Sequence, residues 1–268
     1  PIVDEATLNK VRGIPQALLI AKYLMVQKRL AQTKSWIKEL DETTGRVHGY
    51  VNPNGAVTSR MTHSHPNMAQ IPSSSSPYGE DCRSCWTVPE NYRLVGIDAS
   101  GLELRMLAHY LNDEGYTNEI LNGDIHTTNQ KLAGLESRNQ AKTFIYALLY
   151  GAGDAKLGSV ANRGRASGKG LRQRFFDNLP SFKTLTDRVQ REAKSGFVKG
   201  LDGRRLTVRS EHAALNTLLQ GAGAIVMKKA LIILDQKITN HGYDAKFVAN
   251  VHDEWQIECH LDDAVEVG

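Results

Sequence analysis

Three short apolar runs, Leu94–Ile97, Lys246–Val251 and Trp255–Leu261, have the length and turn-bounded setting of β-strands. The first is separated from the other two by a long stretch of helical texture, so a sheet containing all three must join distant parts of the chain. That arrangement is α+β, with helices filling the interval. The chain has 268 residues, 41% of them hydrophobic. This is enough apolar material for a sizeable core and places the chain outside the disordered class. Length alone fits one large or two small domains.

Periodicity and punctuation predict the remaining elements. Residues 14–40 read as helix, with Leu18, Leu19, Tyr23, Val26, Leu30 and Ile37 at roughly helical spacing. Residues 45–60 read as short strands with a turn at Asn52-Pro-Asn-Gly55, and residues 62–90 as loop, with a serine run at 73–76 and four prolines. Ser100 is placed to cap a helix over Leu102–Leu111. Helical texture resumes at 124–134 and 138–150. Glycine-rich Gly151–Gly170 reads as flexible loop, residues 171–195 as a basic helix, and Asp202-Gly203 as a hairpin turn. Residues 211–240 form a long Ala- and Leu-rich helix.

The net charge of +4 is unevenly spread. Residues 131–210 hold 17 Lys and Arg against 6 Asp and Glu, while the rest of the chain holds 16 against 23. A basic block beside an acidic remainder fits a polyanion-binding surface next to a carboxylate or metal site; a solvated Lys/Arg-rich helical face gives the same count. No apolar run reaches about 18 residues, so no membrane span is expected. The start, Pro1-Ile-Val-Asp-Glu5, has no initiator Met and no basic-then-apolar leader, and the chain is expected to be part of a longer polypeptide. Three cysteines, an odd number, argue against a disulfide-stapled secreted protein.

Three stretches carry candidate chemistry. In Asp98-Ala-Ser-Gly-Leu-Glu103 a carboxylate stands where a strand runs into a helix, accessible to a ligand or serving as a cap. In His252-Asp253-Glu254 adjacent carboxylates crowd a tight turn between two strands; they make either an acidic hairpin tip or half of a site for a hard, oxygen-seeking cation such as Mg²⁺. The third is Arg138-x-x-x-Lys142-x-x-x-Tyr146-x-x-x-Tyr150-Gly151. Steps of four on a helix keep these side chains on one face, leaving Ala141, Ile145, Leu148 and Leu149 to pack behind. That face offers two cations for phosphates and two rings for stacking on a base. Asp98 and Asp253 are 155 residues apart, and their meeting is left open by the sequence.

In chain order these stretches resemble motifs A, B and C of the family A (Pol I-like) DNA polymerases, most closely the replicative polymerases of short-tailed phages. Asn52-Pro-Asn-Gly-Ala-Val57, Asn67-Met-Ala-Gln-Ile-Pro72, Gly123-Asp-Ile-His126, Lys142-Thr-Phe-Ile-Tyr146 and His212–Gln220 extend the likeness, which runs from about Gln27 to Glu258. The resemblance implies a right-hand polymerase: a thumb remnant at 1–45, a palm with an antiparallel sheet at 46–111 and 211–268, truncated at its end, and helical fingers inserted at 112–210. It implies a template-directed DNA polymerase that uses two Mg²⁺ ions, with Mn²⁺ as a substitute. Asp98, Asp253 and the Ala99 carbonyl match the metal ligands, and Glu254 matches a further carboxylate near them. Arg138, Lys142 and His126 match contacts to the incoming triphosphate, Lys142 also being placed to protonate the leaving pyrophosphate. Tyr146 matches the position that senses the nucleotide 3′ region, where Tyr goes with acceptance of dideoxynucleotides. Glu103 matches the steric gate against the ribose 2′-hydroxyl, and Tyr150 the ring beside the templating base. Arg60, Gln70, Asn216, Gln220 and His252 match contacts to the primer–template duplex.

The implied partners are primer–template DNA and deoxynucleotides, in a monomer without membrane attachment, acting in the cytoplasm of a bacterial host. A processivity factor of the kind some relatives recruit would bind a region outside this chain. The isolated chain is expected to extend primers weakly or not at all. Two other classes remain: a catalytically inactive DNA-binding fragment, and a single-subunit RNA polymerase, against which Glu103 and Glu254 speak. Cys82-Arg-Ser-Cys85 has no second pair to complete a zinc site, and the glycines at 151–170 do not spell a P-loop.

Overall fold

The computed structural model describes residues 3–11, 13–162 and 164–268. The first two residues and Arg163, which belong to the N-terminal and basic-block expectations above, lie outside the described residues, as does Arg12. A short helix α1 (Glu5–Leu8) precedes α2 (Pro15–Lys38), which Pro15 opens from a position where its missing N–H costs nothing. The buried face of α2 is Ala17, Ala21, Met25 and Trp36; Leu19, Tyr23, Leu30 and Ile37 of the apolar series are exposed. Two small antiparallel hairpins follow, β1 (Leu40–Asp41) with β2 (Arg46–Val47), and β3 (Tyr50–Asn52) with β4 (Thr62–Ser64). The stretch read as loop at 62–90 thus contains β4, and also a 3₁₀ turn at Met68–Gln70 and α3 (Gly79–Ser84).

The central sheet has β5 (Tyr92–Asp98) at one edge, β9 (Glu254–His260) in the middle and β8 (Ala245–Val251) at the other edge, all antiparallel. Between β5 and β8 lies a helical array: α4 (Leu102–Leu111), α5 (Glu114–Asn122), α6 (Ile125–Ala133), α7 (Arg138–Leu149), α8 (Asp154–Val160), α9 (Arg165–Asn178) and α10 (Pro180–Ala193), then the hairpin β6 (Phe197–Lys199) with β7 (Arg205–Thr207) around Asp202-Gly203, and α11 (Ala214–His241). A last short helix, α12 (Ala264–Val267), packs beneath the sheet.

Three further expectations need correction. Ser100 does not cap α4: Gly101 (φ 62°) holds the N-cap position, and no side chain caps the helix. Residues 151–170 are largely helical, not a flexible loop. The glycines there permit close approach: a Cβ on Gly168 would lie 1.9 Å from the Asp154 carbonyl oxygen, so α9 can cross α8 only with glycine at that point. The basic helix expected at 171–195 is two helices. Pro180 pushes Leu179 out of helical geometry (φ −138°, ψ 74°) and then starts α10.

Two apolar cores meet along α4 and α11. The larger is built by α4 to α11 around the fully buried rings of Phe144, Phe175 and Phe182, with edge-to-face centroid distances of 5.7 and 5.3 Å. Each such ring stabilises by about 1.5–3 kcal/mol. The smaller joins Leu102, Met227 and Ile238 to Trp255, Ile257 and Cys259 of the sheet. The segment 211–241 is long and apolar enough to cross a bilayer by length and composition, contrary to the expectation from apolar runs. Its small and aliphatic residues instead serve both cores: Leu215, Leu218 and Leu219 face one, Met227 and Ile238 the other.

Candidate active site

The sheet edge brings the two distant carboxylate stretches together. Antiparallel register sets Asp98, the last residue of β5, opposite Glu254, the first of β9. One residue further on, the Ala99 N–H donates to the Asp253 carbonyl oxygen at 2.9 Å. Asp98, Ala99, Asp253 and Glu254 therefore occupy one corner. Burial, then the charges of Asp253 and Glu254, push the Asp98 carboxyl above its usual range. The Gln256 side-chain amide, two residues along β9, donates to Glu254 and fixes it. His252 takes the left-handed conformation (φ 60°) that the tight turn into β9 requires. Although His252 keeps an exposed face, desolvation and nearby Arg60 lower its imidazole pKa.

Glu103, in the first turn of α4, forms the second layer. It accepts from Arg60 Nη2 at 3.3 Å and from the Tyr150 hydroxyl at 3.1 Å. Gln220 on α11 stands close enough to Tyr150 to offset part of the rise in its phenol pKa. Glu103 thus ties the loop after β3, the start of α4 and the end of α7 into one unit. The Tyr150 phenol is raised by burial and by Glu103. The next residue, Gly151 (φ 74°), passes so close to His212, in the 3₁₀ turn Glu211–Ala213 before α11, that a Cβ would sit 2.1 Å from its carbonyl oxygen. Asn216 lies one turn before Gln220 on α11, half-buried.

The α7 face has the composition its spacing implies. Arg138 and Lys142 are exposed and Tyr146 half-buried, while Ala141, Phe144, Ile145, Leu148 and Leu149 pack into the core. Ser137 caps the helix through the Gln140 N–H. His126, on the first turn of α6, lies with its ring 6.3 Å from that of Tyr146. Burial, then Arg138 and Lys142, hold His126 below its ordinary pKa, so the pocket is cationic without it. The Tyr146 phenol is raised by burial and by the charges of Glu103 and Asp253, which links this face to the carboxylate corner. Gln70 stands apart from these groups in hydrogen bonding: its carbonyl oxygen accepts from Gln32 on α2, and its side chain is exposed.

Sequence reasoning missed three supporting residues: Gln256 behind Glu254, Asp124 beside Arg138, and Glu258. The Glu258 carboxylate is buried and accepts two bonds from Arg46, at 2.8 and 3.1 Å, pinning the β1–β2 hairpin to the central strand. Only the Asp124 cap before a helix left a local signal. Among the described residues no group of three or more His, Cys, Asp or Glu side chains is arranged to hold a metal ion. Two carboxylates with a backbone carbonyl fall below that number, yet they are hard oxygen donors of the kind Mg²⁺ takes alongside water and phosphate. The like-charge strain on Asp98 is what a cation at this corner would relieve.

The family described as DNA polymerase family A matches residues 1–268. The chain is 45% identical to the DNA-directed DNA polymerase of Escherichia phage T7, over 100% of its own length and 44% of that protein's. It is 35% identical to DNA polymerase I of Aquifex aeolicus, over 98% of its length and 48% of that relative's. It therefore spans less than half the length of these curated relatives. Among solved structures, it superimposes with a TM-score of 0.87 on the POL domain of Pol1 from M. smegmatis, in complex with DNA primer-template and dNTP, at 26% identity, covering 100% of this chain and 51% of that one. A family match along the whole chain, with phage and bacterial relatives aligned across nearly all of it, means that the chain belongs to DNA polymerase family A.

Proposed function

We propose that this chain carries the nucleotidyl-transfer site of a template-directed DNA polymerase, which adds deoxynucleotides to a primer 3′ end and releases pyrophosphate. The observation that carries the reading is the 2.9 Å bond from the Ala99 N–H to the Asp253 carbonyl, which joins two carboxylate-bearing strand ends 155 residues apart in sequence. The electrostatic link from this corner to Tyr146 on the cationic α7 face supports it. So does the likeness to a structure that contains DNA primer-template and dNTP.

In this reading Asp98, Asp253 and the Ala99 carbonyl would hold two Mg²⁺ ions, or Mn²⁺ in their place, with Glu254 beside them. Metal bound there would supply Lewis-acid chemistry, lowering the pKa of a primer 3′-hydroxyl and offsetting the charge of a triphosphate. The chain's own groups do the rest. Arg138, Lys142 and His126 bind the phosphates, and Lys142 Nζ donates a proton to the leaving pyrophosphate. Tyr146 packs against the nucleotide 3′ region and admits dideoxynucleotides. Glu103, held by Arg60 and Tyr150, crowds a ribose 2′-hydroxyl, and Tyr150 lies beside the templating base. Arg60, Gln70, Asn216, Gln220 and His252 contact the duplex near its end, where minor-groove acceptors are similar for all correct pairs and geometry is checked without reading sequence. The basic block at 131–210 takes the template backbone and triphosphate.

The same reading divides the chain into a thumb part (1–45), palm parts (46–111 and 211–268) and fingers (112–210), working as a monomer in a bacterial host's cytoplasm. The test is single-nucleotide addition on four primer–templates that differ only in the templating base. Addition of the complementary nucleotide alone in each case is expected; addition independent of the template base overturns the reading.

A further inference from the structure

Arg138 is not free on the α7 face. Its Nε donates to Asp124 Oδ2 at 2.7 Å, and the pair is half exposed. Asp124 is also the cap of α6. Its Oδ1 accepts from the His126 and Thr127 N–H groups at 3.2 and 3.4 Å, and its Oδ2 accepts from the Thr127 hydroxyl at 2.7 Å. One carboxylate therefore sets both the start of the helix that carries His126 and the position of the Arg138 guanidinium. These bonds hold Asp124 well below the usual carboxylate range, so it stays ionised throughout the neutral region.

The way Arg138 is held matters. Only Nε is engaged, and among the described residues the structure gives Nη1 and Nη2 no protein partner. A guanidinium held by its Nε presents its outer nitrogens as a fork, the geometry that binds a phosphate through two parallel bonds. His126, in the first turn of α6, has its Nδ1 buried and without a hydrogen-bond partner among the described residues. Both groups stand beside Lys142, whose charge His126 feels. An unpaired fork and an imidazole, both placed by one ionised carboxylate and standing beside a lysine, form a prepared cradle.

We propose that Asp124 is a positioning residue for the incoming triphosphate: it holds Arg138 fork-outward and sets His126, so the phosphate-binding groups are arranged before the nucleotide arrives. This rests on the assignment of Arg138 and His126 to the triphosphate. Two effects of Asp124 oppose each other. Its negative charge repels a triphosphate, whereas its bond to Nε removes the rotamers in which Arg138 points elsewhere. The pair is half exposed, so the repulsion is screened by water. Untethered, a long side chain spreads over several rotamers, and apparent affinity falls by the fraction in the competent one. Positioning therefore outweighs repulsion.

The test is equilibrium binding of a fluorescent mant-dATP, with Mg²⁺, to the full chain. Asp124→Asn keeps a cap acceptor for α6 but loses the anionic partner of Nε. It is expected to weaken binding roughly 3–10-fold with an unchanged melting temperature, and to leave binding of the corresponding monophosphate unaffected. In an Arg138→Ala background the same change is expected to shift affinity less than about 2-fold, since the residue it positions is gone. Tighter or unchanged binding by Asp124→Asn, while Arg138→Ala weakens it, overturns the positioning role alone. If Arg138→Ala has no effect, or the unmodified chain does not bind the triphosphate, the assignment of this face to nucleotide fails and the inference with it.

Discussion

Glu103 is the residue whose removal the structure makes most informative. Its side chain is 13% exposed and that of its partner Arg60 19%, so this is not a surface pair of negligible worth. Glu103→Ala removes a charge-assisted bond at 3.3 Å and the Tyr150 hydroxyl bond at 3.1 Å, and leaves a largely buried guanidinium without its carboxylate. Bonds to charged groups contribute about 1.5–3 kcal/mol each, and some of that is recovered as water enters, so a loss of about 2–3 kcal/mol is expected. For a chain of this size that lowers the melting temperature by roughly 4–12 °C. Glu103→Gln keeps an acceptor for Tyr150 and loses only the ion pair, so it should cost about 1 kcal/mol. Thermal and urea unfolding give both values. A second readout is the Tyr150 phenol, which Glu103 raises; ultraviolet titration of Glu103→Ala against a Tyr150→Phe control should find it lower. Equal melting of the parent and both variants would refute the claim that Glu103 ties α4 to α7.

Other outcomes follow from single contacts. Arg46→Ala strands the buried Glu258 carboxylate and should cost about 2–4 kcal/mol in urea unfolding, whereas pairing Arg46→Met with Glu258→Leu should recover most of it. Gly151→Ala, with φ 74° and a 2.1 Å clash at the His212 carbonyl, should destabilise by about 2 kcal/mol or more and weaken primer–template binding; an unchanged melting curve contradicts the geometry. Asp98 has a raised native pKa, so the native state holds its proton more tightly than the unfolded chain does. Its contribution to stability is thus favourable below the unfolded carboxylate pKa and unfavourable once pH passes the native one. Without metal, Asp98→Asn should melt higher than the parent at neutral pH, and the gap should narrow on acidification; a gap that does not change with pH contradicts this.

Local signals carried the elements whose identity is settled within a few residues. The four-residue spacing from Arg138 to Tyr150 gave the correct buried and exposed faces of α7, and Asp202-Gly203 marked its hairpin. Glycine was misleading at 151–170 because the sequence does not distinguish a glycine needed for freedom from one needed for close approach; Gly168 is of the second kind, set by a neighbouring helix. On α2 the larger apolar side chains suggested the packed face, but Ala17, Ala21 and Met25 fill it. The candidate site was legible where motifs name its reacting groups. Its supports were not, because Arg46 and Glu258 are 212 residues apart and Arg60 and Glu103 are 43 apart. Only the fold brings such partners into contact.

The central claim is that Asp98 and Asp253 form one catalytic corner. Single-turnover addition of one nucleotide to a primer–template, with the chain in excess and Mg²⁺ present, tests it under conditions where even weak activity is visible. Slow, template-directed addition is expected, with Asp253→Ala lowering the rate at least about 10³-fold while primer–template binding is retained. Addition that persists at the parent rate in Asp253→Ala contradicts the account.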